Sequence, residues 1–235
     1  MTSQASRSLG ILNLERGQQP RTQSPKPIPG DLLNPATFGF PVILETVAGA
    51  WPDKLVSGDP ELEPACIAAA RRLIEQGAIA ISSNCGFFIR HQAAVAASVN
   101  VPVAMSSLLL VPTLLRQLPP AAKLAVLTVD SKHCGKDLLG VNDPADLAKI
   151  VIGGVEGGKF WQNEMMRPPP VTDVADIETD VAACIARLRS EHPDVAAILF
   201  ECTGFPLVAL AIRRITGLPV YDITTLCRMT LASIN

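Results

Sequence analysis

The chain has 235 residues, 48% of them hydrophobic, and a formal net charge of -2. That length admits one large α/β domain or two smaller lobes, with apolar content enough for a sizeable core. The near-neutral charge and scattered Lys and Arg exclude an obvious nucleic-acid partner. No apolar run reaches the about 18 residues of a membrane span, and MTSQASRSLG lacks a signal-peptide core. No membrane partner and a cytoplasmic location are therefore expected.

Residues 9–14 (LGILNL) read as a buried strand, followed by a Pro-, Gln- and Gly-rich stretch over 16–41 that has the length of a functional or disordered loop. Within it, Gly30-Asp31 reads as a turn. Residues 41–47 (PVILETV) are a second strand. ELEPACIAAARRLIEQ over 61–76 predicts a helix with acidic residues in its first turn and Gly77 as its stop. A strand is expected at 78–82, a helix at 88–99, a strand at 101–105 and a helix at 107–117 containing Pro112. A similar order then begins again, with strand 123–130, helical segments 131–139 and 144–149, and strand 150–155. After an irregular stretch at 156–172 come helix 176–190, strand 196–200, helix 207–216 and strand 219–222. Alternation of this kind predicts an α/β fold with a mainly parallel sheet.

Two segments align with each other. AIAISSNCGFFIRHQAAVAASVNVPV ends at Val103 and VAAILFECTGFPLVALAIRRITGLPV ends at Val220. Each has an apolar strand, a cysteine at its end, a Phe three residues on, a helix and a Pro-Val strand. Cys85 to Pro102 and Cys202 to Pro219 are both 17 positions. ACIAAARRL before the first strand matches ACIARLRSE before the second, and LGILNLE matches LAVLTVD, all at offsets of 115 to 118. Several matches in the same order imply duplication. The expected architecture is two similar α/β lobes related by a pseudo-twofold, an N-terminal lobe over 1–119 and a C-terminal lobe over 120–235, with room for the C-terminal helix to cross back. In parallel sheets ligands bind beyond the carboxyl ends of the strands, which places the expected site in the interlobe cleft.

There are six cysteines, at 66, 85, 134, 184, 202 and 227, with no CxxC pair and no zinc-ligand spacing. Buried thiols acting as small hydrophobes are the ordinary reading, and it suits Cys66 and Cys184 among alanines, and Cys134 and Cys227. Cys85 and Cys202 differ. Each lies between a strand's end and a helix's start, where N–H groups and partial positive charge favour a thiolate and hold a carboxylate. One thiol on each face of a substrate is the arrangement for moving a proton on the carbon beside a carboxylate. Such chemistry calls for neither a metal nor a redox cofactor. A non-catalytic protein binding a small acid remains the alternative from another class.

Asn84-Cys85 in one half and Cys202-Thr203-Gly204 in the other resemble the cofactor-independent aspartate/glutamate racemase superfamily, over nearly the whole chain. The resemblance implies a racemase or epimerase, an isomerase independent of pyridoxal phosphate, with Cys85 and Cys202 as its acid/base pair and a small carboxylate-bearing substrate. Maleate-isomerase-like or arylmalonate-decarboxylase-like chemistry is the alternative within the superfamily. Carboxylate-binding positions map onto Asn13, Ser83, Asn84, Ser106, Ser107, Thr128, Thr203 and Gly204, and the loop after the first strand adds Glu15. Glu201 and His133 are candidates to assist. Gly86-Phe87 and Gly204 depart from the glutamate racemase pattern of Asn-Thr after the first cysteine and His after the second Cys-Thr. Phe87, Phe88 and Phe205 imply a pocket less polar than glutamate wants. His91, His192 and Trp161 read as structural or solvated, and a homodimer is admitted.

Overall fold

A computed structural model describes residues 7–17, 28 and 30–234. Most of the loop at 18–29 lies outside the described residues. Gly30-Asp31 do form a turn, in which the Asp31 carboxylate accepts the Leu33 N–H at 2.8 Å. The elements in chain order are β1 (Ser8–Asn13), β2 (Val42–Thr46), α1 (Pro52–Ser57), α2 (Glu63–Glu75), β3 (Ala78–Ser83), α3 (Gln92–Ser98), α4 (Val111–Gln117), β4 (Lys123–Thr128), α5 (Pro144–Leu147), β5 (Ile150–Gly154), α6 (Lys159–Glu164), α7 (Val174–Glu191), β6 (Val195–Phe200), α8 (Ala209–Thr216), β7 (Val220–Tyr221) and α9 (Ile223–Ala232). They form two compact units, residues 1–106 with 224–235, and residues 107–223. The first unit thus ends at Ser106 rather than at 119, and it includes nearly all of α9.

The first unit holds a parallel sheet in the order β2-β1-β3, and the second a parallel sheet in the order β5-β4-β6-β7. β1 and β4 are central and almost wholly buried, so they read as continuous apolar runs rather than alternating ones. Gly10 shows why β1 tolerates no side chain at its middle. A Cβ there would lie 2.9 Å from the Ala78 Cβ and 3.1 Å from Leu73, so α2 and β3 close directly onto the strand. In the second unit Phe200 stacks edge-on against Phe205 at 5.5 Å, and Phe205 against Phe160 at 5.7 Å, within a core floored by Ile177, Val181 and Ile185 of α7. Aromatic pairs at such separations add about 0.5–1.5 kcal/mol beyond their buried area.

The two units repeat several backbone features at matching places. Register shifts occur between Ser8 and Leu9 where β1 meets β3, and between Lys123 and Leu124 where β4 meets β6. The Ile81 N–H donates to Pro102 and the Ile198 N–H to Pro219, both at 2.9 Å.

Several sequence expectations change, and α1 is a helix where the sequence was not read. Residues 101–105 form no strand, only a bridge between Val103 and Ile81, and side chains take over the rest of the pairing. The Ser82 and Ser83 hydroxyls bind the carbonyls of Ala104 and Met105 at 2.8 and 2.6 Å, and the Gln92 amide bridges Val103 and Met105. Residues 131–139 are turns with one short 3-10 segment at Lys136–Leu138, preceded by Gly135. The stretch at 156–172 contains α6, and the loop after β2 contains α1; both start at breaker-rich segments that mask them. After Cys85 the chain enters a 3-10 segment, Gly86–His91, and α3 begins only at Gln92. The macrodipole acts within a helix's first turn, so no α-helix dipole bears directly on Cys85.

Candidate functional site

Both strand-end cysteines sit in the same backbone frame. In the first unit the Asn84 N–H donates to Leu12 at 2.9 Å, the Val47 N–H to Asn13 at 2.9 Å and the Phe88 N–H to Cys85 at 3.1 Å. In the second unit the Glu201 N–H donates to Leu127 at 2.7 Å, the Val155 N–H to Thr128 at 3.3 Å and the Phe205 N–H to Cys202 at 3.2 Å. Strand geometry therefore puts each cysteine two residues past the last residue of its strand, at the sheet's carboxyl edge. Both are partly exposed, whereas the other four cysteines are buried. Cys66 lies on α2 and Cys184 on α7. Burial pushes their thiols up to about 12 and about 11, with Glu63 adding to the first and Arg187 opposing the second.

The side chains in the frame differ between units. Asn13 and Asn84 lock each other through the Asn84 amide and the Asn13 carbonyl oxygen, and Asn84 also accepts the Leu14 N–H at 2.9 Å. In the matching places the Thr128 hydroxyl donates to the Glu201 carboxylate at 2.8 Å, with both residues buried. The frame beside Cys85 is thus neutral, and the one beside Cys202 is acidic.

Several residues expected to hold substrate are already engaged. The Ser83 hydroxyl is spent between the Met105 and Cys85 carbonyls, and the Ser107 hydroxyl donates to Phe200 at 2.6 Å; both residues are fully buried. Ser106 is equally buried. Thr203 and Gly204 form the turn after Cys202 and are partly exposed. Gly204 has a packing reason, since a Cβ there would come within 2.8 Å of the Phe160 ring. His133 pairs with Asp130 at 2.8 Å in the turn two residues beyond Thr128. Phe87, Phe88 and Phe205 are all fully buried core residues, so they do not set a pocket's polarity. His91, read as structural or solvated, is structural, buried on the segment before α3.

Trp51 and the 47–51 turn went unread in the sequence, although an aromatic two residues after a Gly at the end of a strand was there to be seen. Among the described residues no group of three His, Cys, Asp or Glu is placed to hold a metal. No helix among them is long and apolar enough to cross a membrane. A groove of about 390 Å³ between α7 and α8, floored by Ile185 and Ile212, lies at the amino end of β6, the wrong end of the strand for Cys202.

No family model matches the chain. It is 31% identical over 229 residues to a dimethylsulfoniopropionate lyase of Durusdinium sp. clade D, covering 92% of this chain and 71% of that one. The chain belongs to the dimethylsulfoniopropionate lyase family. Dimethylsulfoniopropionate lyase 3 of Emiliania huxleyi is 28% identical over 244 residues, 97% of this chain but 60% of that protein, so this chain spans well under the full length of that relative.

Among solved structures, glutamate racemase from Francisella tularensis subsp. tularensis matches 98% of this chain and 81% of its own, with a TM-score of 0.61 at 14% identity. Allantoin racemase from Pseudomonas fluorescens matches 97% and 90%, with a TM-score of 0.56 at 18% identity. The fold is thus that of the aspartate/glutamate racemase superfamily, as the paired cysteine motifs indicated. The expected activity is not upheld. The lyase family's relatives carry the name of a lyase, which overturns the racemase or epimerase reading and the isomerase class with it.

Proposed function

We propose that this chain is a lyase that cleaves dimethylsulfoniopropionate. The observation that carries the reading is the 31% identity to a lyase of that name over 92% of the chain. The substrate's name specifies a carboxylate, a two-carbon link and a dimethylsulfonium group. Its carboxylate acidifies the neighbouring carbon, and its sulfonium is a good leaving group on the next. The residues suit that chemistry, because a strand-end thiolate is a fitting base for a carbon acid at near-neutral pH.

In the proposed step a cysteine thiolate takes the proton from the carbon beside the carboxylate, forming S–H. The C–H electron pair becomes the carbon–carbon double bond. The bond from the β-carbon to sulfur breaks with its pair staying on sulfur, releasing neutral dimethyl sulfide and leaving acrylate. Of the two thiols Cys85 is better placed as base. It follows neutral Asn84, whereas Cys202 follows the buried acid Glu201, whose ionised form would oppose a thiolate beside it.

Elimination and 1,1-proton transfer share their opening, removal of a proton next to a carboxylate, so a racemase fold accommodates a lyase without new machinery. The test is to incubate the purified chain with dimethylsulfoniopropionate, measuring dimethyl sulfide in the headspace and acrylate in solution. Equal amounts of both are expected. A folded chain that releases neither overturns the proposal.

A further inference from the structure

We infer that Glu15 and Trp51, in the turns beyond β1 and β2, form the subsite for the substrate's sulfonium cation. This rests on the lyase reading above. Three observations in the first unit carry it. The Glu15 N–H donates to Ala50 at 3.0 Å, and its carboxylate Oε2 accepts the Gly49 N–H at 2.7 Å. The side chain is therefore held against the 47–51 turn, and Oε1 has no partner among the described residues.

Second, the Trp51 ring packs over Gly17, its edge 3.4 Å from where a Cβ would stand, and Gly17 takes a φ of +65° that suits glycine. Carboxylate and indole thus belong to one small cluster of residues 15, 17 and 49–51. Third, this cluster shares the sheet's carboxyl edge with Cys85. Leu14, next to Glu15, donates to the Asn84 side chain at 2.9 Å, and Asn84 directly precedes Cys85. Order β2-β1-β3 sets Glu15 about one strand spacing and Trp51 about two from the thiol, roughly 5 and 10 Å between backbones, which side chains and a bound three-carbon acid span.

A dimethylsulfonium group carries a full positive charge, offers no N–H or O–H donor and is coated by methyls. An aromatic face with an adjacent carboxylate is the protein surface that recognises such a cation. The second unit has no counterpart. There the residue matching Glu15 is Asp130, whose carboxylate pairs with His133 and accepts the Lys132 N–H, and Lys159 stands where the matching turn would place Trp51. The duplicated frame therefore carries a cation-binding addition in only one half, the half whose cysteine we assign as base.

The charge on sulfur disappears as the carbon–sulfur bond breaks. Proton removal with the carbon–sulfur bond still largely intact leaves most of that charge in place, so the subsite holds substrate and transition state nearly alike, and its loss should raise KM and leave kcat nearly unchanged. A merely structural role would not produce that split.

The experiment compares wild type with Glu15→Gln, Trp51→Leu and Trp51→Phe in the full chain. It measures KM and kcat for dimethylsulfoniopropionate, and inhibition by 4-methylpentanoate, the uncharged analogue of the same shape. Glu15→Gln and Trp51→Leu should each raise KM roughly tenfold, with Trp51→Phe in between, kcat within about twofold and inhibition by the neutral acid unchanged. Equal weakening of substrate and neutral acid, or no change in KM, overturns the subsite while leaving the lyase reading standing. If wild type releases no dimethyl sulfide, the lyase reading fails instead. Titration calorimetry of the two compounds then decides the subsite alone: preference for the cation that both variants abolish sustains it, and equal binding to wild type overturns it.

Discussion

Alkylation of the six thiols should separate two from four. At pH 8 an unperturbed thiol is about one quarter ionised. A thiol pushed up to about 12, as at Cys66, is ionised to roughly one part in ten thousand, and one at about 11, as at Cys184, to roughly one part in a thousand. The nucleophile is the thiolate, so ionisation alone slows these two by more than a hundredfold. Burial slows them further, since Cys66 has no exposed surface and Cys184 has 1%. Cys134 and Cys227 are shielded at 2% and 1%. Brief treatment with iodoacetamide at pH 8, followed by peptide mass spectrometry, should place label on Cys85 and Cys202 alone. All six should react in guanidinium. Native labelling of Cys66 or Cys184 as fast as Cys85 would refute the assignment of reactive and structural thiols.

Thr128→Val removes the hydroxyl that donates to the buried Glu201 carboxylate at similar volume. Leaving a buried acceptor without its donor should cost about 1–3 kcal/mol and lower Tm by several degrees in calorimetry. Thr128→Ser should lose much less, and equal losses would contradict the bond's role. His91 is buried, and that burial lowers its pKa below 6.5, with Arg90 acting the same way and Glu63 and Asp59 opposing. The unfolded chain therefore binds the proton first. Stability is full above about pH 6.5 and falls as pH drops from there toward the folded-state value. His91→Leu should flatten the Tm profile between about pH 7 and pH 5, and an unchanged slope would contradict this. Gly204→Ala should destabilise the fold, because its Cβ comes within 2.8 Å of the Phe160 ring. A Tm equal to wild type would show that the ring moves aside freely.

The duplication is legible because both halves keep the same spacing from cysteine to Pro-Val, and the structure repeats it down to individual hydrogen bonds. Central strands are easy to read, since β1 and β4 are buried on both faces and stand out as unbroken apolar runs. The 101–105 segment misleads because its apolar residues resemble a strand, while its pairing runs through Ser82, Ser83 and Gln92 side chains that only the fold brings there. Phe87 and Phe88 look like pocket walls beside Cys85; their complete burial depends on packing across the sheet, which spacing does not reveal. Reaction class is hidden for a chemical reason. Under the proposed function the cysteines remove a proton beside a carboxylate, and the fate of the resulting carbanion depends on whether the next carbon bears a leaving group. That is a property of the substrate, and no residue of the duplicated frame encodes it.

The most direct measurement is dimethyl sulfide release by Cys85→Ala, with folding verified by circular dichroism. Loss of a positioned general base should cut kcat by about a hundred- to ten-thousandfold, with no dimethyl sulfide gained in compensation when Cys202 is left intact. Release at the wild-type rate from folded Cys85→Ala would contradict the account.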